Sequence, residues 1–159
     1  MSLAIGRVLT AEQRLYKATA DIIGHDDFVA LASVLMIGSK KIVDGLPTAC
    51  TNGRDELYGR EFVDSLNDAE FRFLVLHECY HKMYQHLITW KHLHDINHGL
   101  ANAACDYVIN LQLTDTEAHK RGDITMPKKM LLDQQFRGMN VVQVFKALQQ
   151  QATPANEGT

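Results

Sequence analysis

Residues 67–88 read Asn67-Asp68-Ala69-Glu70-Phe71-Arg72-Phe73-Leu74-Val75-Leu76-His77-Glu78-Cys79-Tyr80-His81-Lys82-Met83-Tyr84-Gln85-His86-Leu87-Ile88. The first four residues form a capping-box pattern, in which Asn67 and Glu70 each satisfy the other's backbone amide. This predicts a helix from Asn67 to about Ile88. Its centre, Phe71 to Leu76, is apolar almost all round, so the helix is expected inside the core rather than on it. Residues on a helix are about 100° apart, which places His77 and His81 within about 40° of each other. Two imidazoles one turn apart suit two nitrogen positions of a tetrahedral zinc site. Glu78, beside the first histidine in this HExxH sequence, is placed to take a proton from a metal-activated water. Unpaired His and Glu would be costly to bury in so apolar a helix, and a metal gives them a reason to be there.

A catalytic zinc site normally has three protein ligands. His86 is nearest, but nine residues from His77 it falls about 180° away on a continuous helix. The metzincin arrangement needs a glycine and a third histidine where this chain has Tyr84 and Leu87, and is excluded. Asp106 is the better third ligand. It lies beside an apolar stripe of Ala103, Ala104, Tyr107 and Val108 on a further helix expected over Gly99 to Leu113. An acid there needs a compensating partner, either the motif histidines across an antiparallel helix pair or a salt-bridging Lys or Arg. Asn102 and Asn110, one turn to either side, are candidates to orient the ligands. His94 and His98 remain reserve ligands. Cys79 and Cys105 point away from the proposed metal and read as small buried hydrophobes.

Outward from this pair of helices, Thr10 to Gln13 is another capping box, opening a helix that Gly24 can stop. A second helix, or a buried strand, spans Phe28 to Leu35. Short strands are expected at Lys41 to Asp44, Pro47 to Thr51 and Arg54 to Tyr58, with Asn52-Gly53 as a hairpin turn. Residues 89–97 read as a loop and Thr114 to Lys129 as irregular chain. The last helix begins at Asn140, with Gln143 as its capping partner. These elements make one α+β domain over residues 1–151, mostly helical with a small hairpin or sheet beside the HExxH helix. Residues 152–159 read as a disordered tail.

The chain has 159 residues, with Lys+Arg 16 against Asp+Glu 19 and a net charge of -3. This balance gives no reason to expect a nucleic-acid or anionic-membrane partner. The most apolar run, Phe28 to Ile37, is short of the ~20 residues a bilayer needs, and the N-terminus lacks a secretory signal. Three cysteines do not make a disulfide scaffold and point to a reducing, cytoplasmic setting.

Leu76 to His81, with His86 five residues later and Ala103-Ala104-Cys105-Asp106-Tyr107-Val108-Ile109-Asn110 downstream, resembles a metallopeptidase domain often fused to a von Willebrand factor A-like domain. The resemblance extends over Pro47 to Arg54 and Leu131 to Asn140, and so covers about positions 10 to 150. It implies a zincin-like fold, with the metal held by His77, His81 and the acid matching Asp106. With no von Willebrand-type segment after residue 150 in this sequence, a stand-alone version of the domain is expected.

The expected function is a zinc-dependent hydrolase, a peptidase with Glu78 as general base and a peptide or protein as substrate. In zincin-type enzymes a strand beside the metal helix pairs with the substrate backbone. Thr48 to Thr51 or Arg54 to Tyr58 could be that edge, or the hairpin could be purely structural. The alternative is a zinc-stabilised binding or regulatory module without turnover, in which Glu78 would have no purpose. A third possibility is a metal-free, pH-sensitive histidine surface.

Overall fold

The computed structural model describes residues 8–152. Helix α1, Ala11–Ile23, opens on the expected capping box of Thr10 and Gln13 and ends at Gly24. The apolar stretch after it forms a short 3-10 turn, Val29–Leu31, and the one-turn helix α2, Ala32–Leu35, rather than a strand. Three strands follow: β1 (Lys40–Val43), β2 (Ala49–Thr51) and β3 (Glu56–Gly59). Then come α3 (Arg60–Asp64), α4 (Asp68–Met83), α5 (His86–Thr89), α6 (Lys91–Ile96), α7 (His98–Thr114) and α8 (Glu117–Arg121). A 3-10 turn, Gln134–Phe136, precedes the last helix, α9, Val141–Ala152. The fold is therefore α+β and mostly helical, with a small sheet. α9 includes Ala152, the first residue of the expected tail, and the rest of that tail lies outside the described residues.

The sheet has the order β1-β3-β2. β2 and β3 are antiparallel as expected, but Thr51 pairs with Glu56, so the turn spans Asn52 to Asp55 and Arg54 lies outside β3. Asn52 Oδ1 accepts from the amides of Arg54 and Asp55, 2.9 and 2.7 Å, which shapes the wider turn. β1 runs parallel to β3 and occupies its other side. The connection from β1 to β2 passes so close to β3 that a Cβ on Gly59 would lie 1.8 Å from the Leu46 carbonyl oxygen. Only glycine fits that approach.

α4 is the centre of the main core. Phe71, Phe73, Leu74, Val75 and Leu76 are all buried, against Leu15 and Ile22 of α1 and Ile109 and Leu113 of α7. Each such side chain contributes roughly 1.5–3 kcal/mol by leaving water. A second cluster joins Leu93, Ala104, Cys105, Phe136, Val144 and Phe145. α7 belongs to both clusters and is thereby fixed on two sides. Among the described residues no helix is long and apolar enough to cross a membrane.

Two local features set α4 in place. At its start Asn67 accepts from the Glu70 amide at 2.9 Å, and Glu70 accepts from the Asn67 amide at 3.1 Å. Near its end the buried Lys82 donates to Glu56 of β3 at 2.8 Å and to the Ile37 carbonyl at 3.0 Å. Glu56 is fully enclosed and also receives Tyr58 Oη–H, 2.7 Å, and Lys40, 3.0 Å. The helix bearing the histidines is thus tied to the central strand one residue beyond His81.

The expected continuation of this helix to Ile88 does not occur. α4 stops at Met83, and Gln85 takes a left-handed conformation, φ 50°, the one positive φ outside glycine among the described residues. The expected loop at 89–97 is instead largely helical, as α6. Part of the irregular stretch at 114–129 is also helical, as α8.

Candidate metal centre

α4 and α7 face each other where both carry polar groups inside an apolar surround. His77 and His81 come from α4 and Asp106 from the middle of α7. Their nearest atoms form a small triangle: His77 Nε2 to His81 Nε2 is 3.1 Å, His77 Nε2 to Asp106 Oδ1 3.1 Å, and His81 Nε2 to Asp106 Oδ1 2.9 Å. Donor atoms on one face of a tetrahedral zinc site would be about 3.3 Å apart for bonds near 2.05 Å. The three residues thus form a group that could hold a metal ion.

The hydrogen bonding around His77 shows that these residues suit a cation. Asn110 is fully buried, and its Nδ2 donates to the Leu131 carbonyl at 2.8 Å. Its Oδ1 therefore faces His77 Nδ1 at 2.8 Å and accepts the proton there. In a neutral His77 the proton then sits on Nδ1, and Nε2 turns a lone pair toward the carboxylate of Asp106. Two lone pairs at 3.1 Å repel unless a positive charge lies between them. A metal ion meets that need, as does a proton in its absence. The electrostatics agree. Burial alone would lower the pKa of His77, but the hydrogen bond and charge of Asp106 carry it above its ordinary value. For His81 burial prevails and the pKa falls. Burial works against an ionised Asp106, yet the two histidines hold it well below the usual carboxylate range.

Glu78 opens on the same cleft as the three ligand candidates and is 5% exposed. Burial pushes its pKa up to about 7, with Asp106 and Glu56 adding to the rise and His77 and Lys82 opposing it. A cation at the neighbouring triangle would draw this value down again. The cleft encloses about 430 Å³. It is lined by Thr48 to Thr51, the segment containing the edge strand β2, and also by Asn102, Lys129 and Met130. Of the two strands proposed as an edge, β2 is at the edge of the sheet and beside the cleft, whereas β3 is central.

The other candidates fall elsewhere. His94 and His98 face one another, Nδ1 to Nδ1 2.9 Å, and Asn102 bonds His98 at 3.1 Å rather than a member of the triangle. Cys79 packs in the main core and Cys105 in the second cluster, with burial raising both thiol pKa values, to about 11 and about 12. Tyr107 packs against Phe136, ring centres 4.8 Å apart. His86 stays outside the triangle, but the reason differs from the helical-angle argument. The helix has already ended, and the turn at Gln85 brings His86 behind His81, Nδ1 to Nδ1 3.1 Å. Burial and the neighbouring His81 lower its pKa to about 3. Cys50 lies at the cleft within the proposed Thr48 to Thr51 edge, whereas Lys129 and Met130, which also line it, carry no spacing signal that sequence reasoning could use.

The domain is mostly helical and α+β, and it sets the HExxH helix against the helix that carries Asp106, beside an edge strand. In the comparison with known families, residues 10–159 match the family described as "Putative metallopeptidase domain", and the chain belongs to that family. No curated protein and no solved structure matches the chain.

Proposed function

We propose that this protein is a zinc-dependent peptidase in which His77, His81 and Asp106 hold the metal and Glu78 is the general base. The observation that carries the proposal is the convergence of three donor atoms, 2.9 to 3.1 Å apart, on the cleft that Glu78 also faces. Zinc in such a site supplies Lewis acidity and lowers the pKa of water toward neutrality. Glu78 takes a proton from the attacking water and returns it to the departing amine. Asn110 keeps His77 in the tautomer that presents Nε2. The edge of β2 offers backbone groups along which an extended peptide can align.

Three side-chain ligands facing a cleft fit a catalytic site better than a structural one, which commonly has four. This supports hydrolysis over a zinc-stabilised module without turnover. A cytoplasmic setting is part of the reading, supported by the three unpaired cysteines, of which Cys50 is exposed. The test is Glu78→Gln. The variant is expected to retain zinc while hydrolysis of a mixed peptide library falls at least a hundredfold. Undiminished hydrolysis by the zinc-loaded variant would refute the role of Glu78.

A further inference from the structure

The two motif histidines are both held from behind, by different means. His77 gives its Nδ1 proton to Asn110 Oδ1 at 2.8 Å. His81 has Nδ1 directed instead at His86 Nδ1, 3.1 Å away, with the two rings nearly perpendicular at 79°. We infer that His86 is a positioning residue, which accepts the Nδ1 proton of His81 and so presents His81 Nε2 to the metal. The inference rests on the metal-site reading above.

The tautomers follow in sequence. His81 can offer Nε2 as a ligand only if its own proton is on Nδ1. That proton needs an acceptor, since His81 is largely enclosed, with its side chain 14% exposed. His86 Nδ1 is the acceptor, and His86 therefore carries its proton on Nε2. A partner of this kind fixes the ring orientation of a metal ligand and raises its basicity.

The backbone is arranged to make this contact. On an unbroken helix position 86 would project about 140° away from position 81. The left-handed turn at Gln85, φ 50°, ends the helix and swings His86 back. Residues other than glycine rarely adopt that conformation, so the surrounding contacts must hold it. His86 is then fixed in place: it is 4% exposed and stacks on Tyr84, ring centres 5.3 Å apart and planes 23° from parallel. Tyr84 Oη–H donates to Gln112 of α7 at 2.7 Å. α7 therefore supplies Asp106 directly, holds His77 through Asn110, and holds His81 through the series Gln112, Tyr84 and His86. One helix sets the alignment of all three ligand candidates.

The experiment is a Co2+ titration of the metal-free protein, read by the visible absorption of bound cobalt and by competition with a chelator. His86→Phe keeps an aromatic ring but has no acceptor, and its dissociation constant is expected to rise about 10–100-fold. His86→Asn places an oxygen acceptor near the original Nδ1 and is expected to stay within about threefold of wild type. Melting of the metal-free proteins controls for folding. A role in packing alone predicts the reverse order, because Asn leaves the larger void. His86→Leu, acceptor-free and close to Asn in size, replaces the Phe variant if that does not fold. Phe or Leu variants that bind cobalt as tightly as wild type would overturn the inference, as would an Asn variant as weak as they are. His77→Ala separates the two readings: if it binds like wild type, the metal site itself is wrong, and the inference falls with it.

Discussion

Replacing Glu56 by leucine should be among the most damaging single changes in this protein, and more damaging than replacing its partner Lys82. Glu56 is fully buried and receives three donors: Lys82 at 2.8 Å, Lys40 at 3.0 Å and the Tyr58 hydroxyl at 2.7 Å. Glu56→Leu keeps the volume but leaves the Lys82 ammonium, 1% exposed, without a counter-charge. Removing one partner of a buried pair costs about 3–5 kcal/mol. In a chain of this size each kcal/mol lowers the melting temperature by roughly 2–4 °C. A loss of about 4 kcal/mol is then a fall of roughly 8–16 °C. Lys82→Met removes the other partner, but Glu56 keeps Lys40 and Tyr58. The expected cost is about 1–2 kcal/mol, or roughly 2–8 °C. Scanning calorimetry of the metal-free proteins measures both. A Lys82→Met variant that melts as low as Glu56→Leu, or a Glu56→Leu variant within about 2 °C of wild type, would refute the view that Glu56 is the hub.

Gly59→Ala forces a Cβ to within 1.8 Å of the Leu46 carbonyl oxygen, so the strand connection must shift. A loss of about 2–3 kcal/mol is expected in urea unfolding. Asn67→Ala removes the acceptor for the Glu70 amide and should cost about 1 kcal/mol, seen as a lower urea midpoint at unchanged slope. The pKa of His77 is raised in the metal-free protein, so metal must displace its proton. Affinity should therefore rise with pH and level off once pH exceeds that raised pKa. Calorimetry at about pH 6.5 in buffers of different ionisation heat should show proton release, and buffer-independent heats would contradict it.

Much of the site was legible because its signals are local. Capping boxes at Thr10, Asn67 and Asn140 need only three residues to be recognised, and all three form. His77 and His81 are one turn apart by helical geometry alone. Asp106 was found by asking what a carboxylate needs inside an apolar stripe, and it lies within hydrogen-bonding distance of both histidines. The parts that were not legible depend on distant partners. Gln85 takes a left-handed turn that its own residue type does not favour, and Tyr84, bonded to Gln112 of α7, stacks on His86 just beyond it. No local pattern marks that helix end, so a sequence reading carries the helix past Gln85 and puts His86 opposite His77, where the structure has it behind His81. β1 likewise pairs in parallel with β3 rather than with its neighbour in sequence, a contact that spacing between turns does not reveal.

In the proposed function His77, His81 and Asp106 together hold one metal ion. Dialysis of the metal-free protein against Zn2+, followed by elemental analysis of wild type and Asp106→Ala, tests it most directly. The expected result is a single tightly held zinc per wild-type chain and its loss, under the same dialysis, from the folded Asp106→Ala protein. A wild-type chain that retains no zinc, or an Asp106→Ala chain that retains as much as wild type, would contradict it.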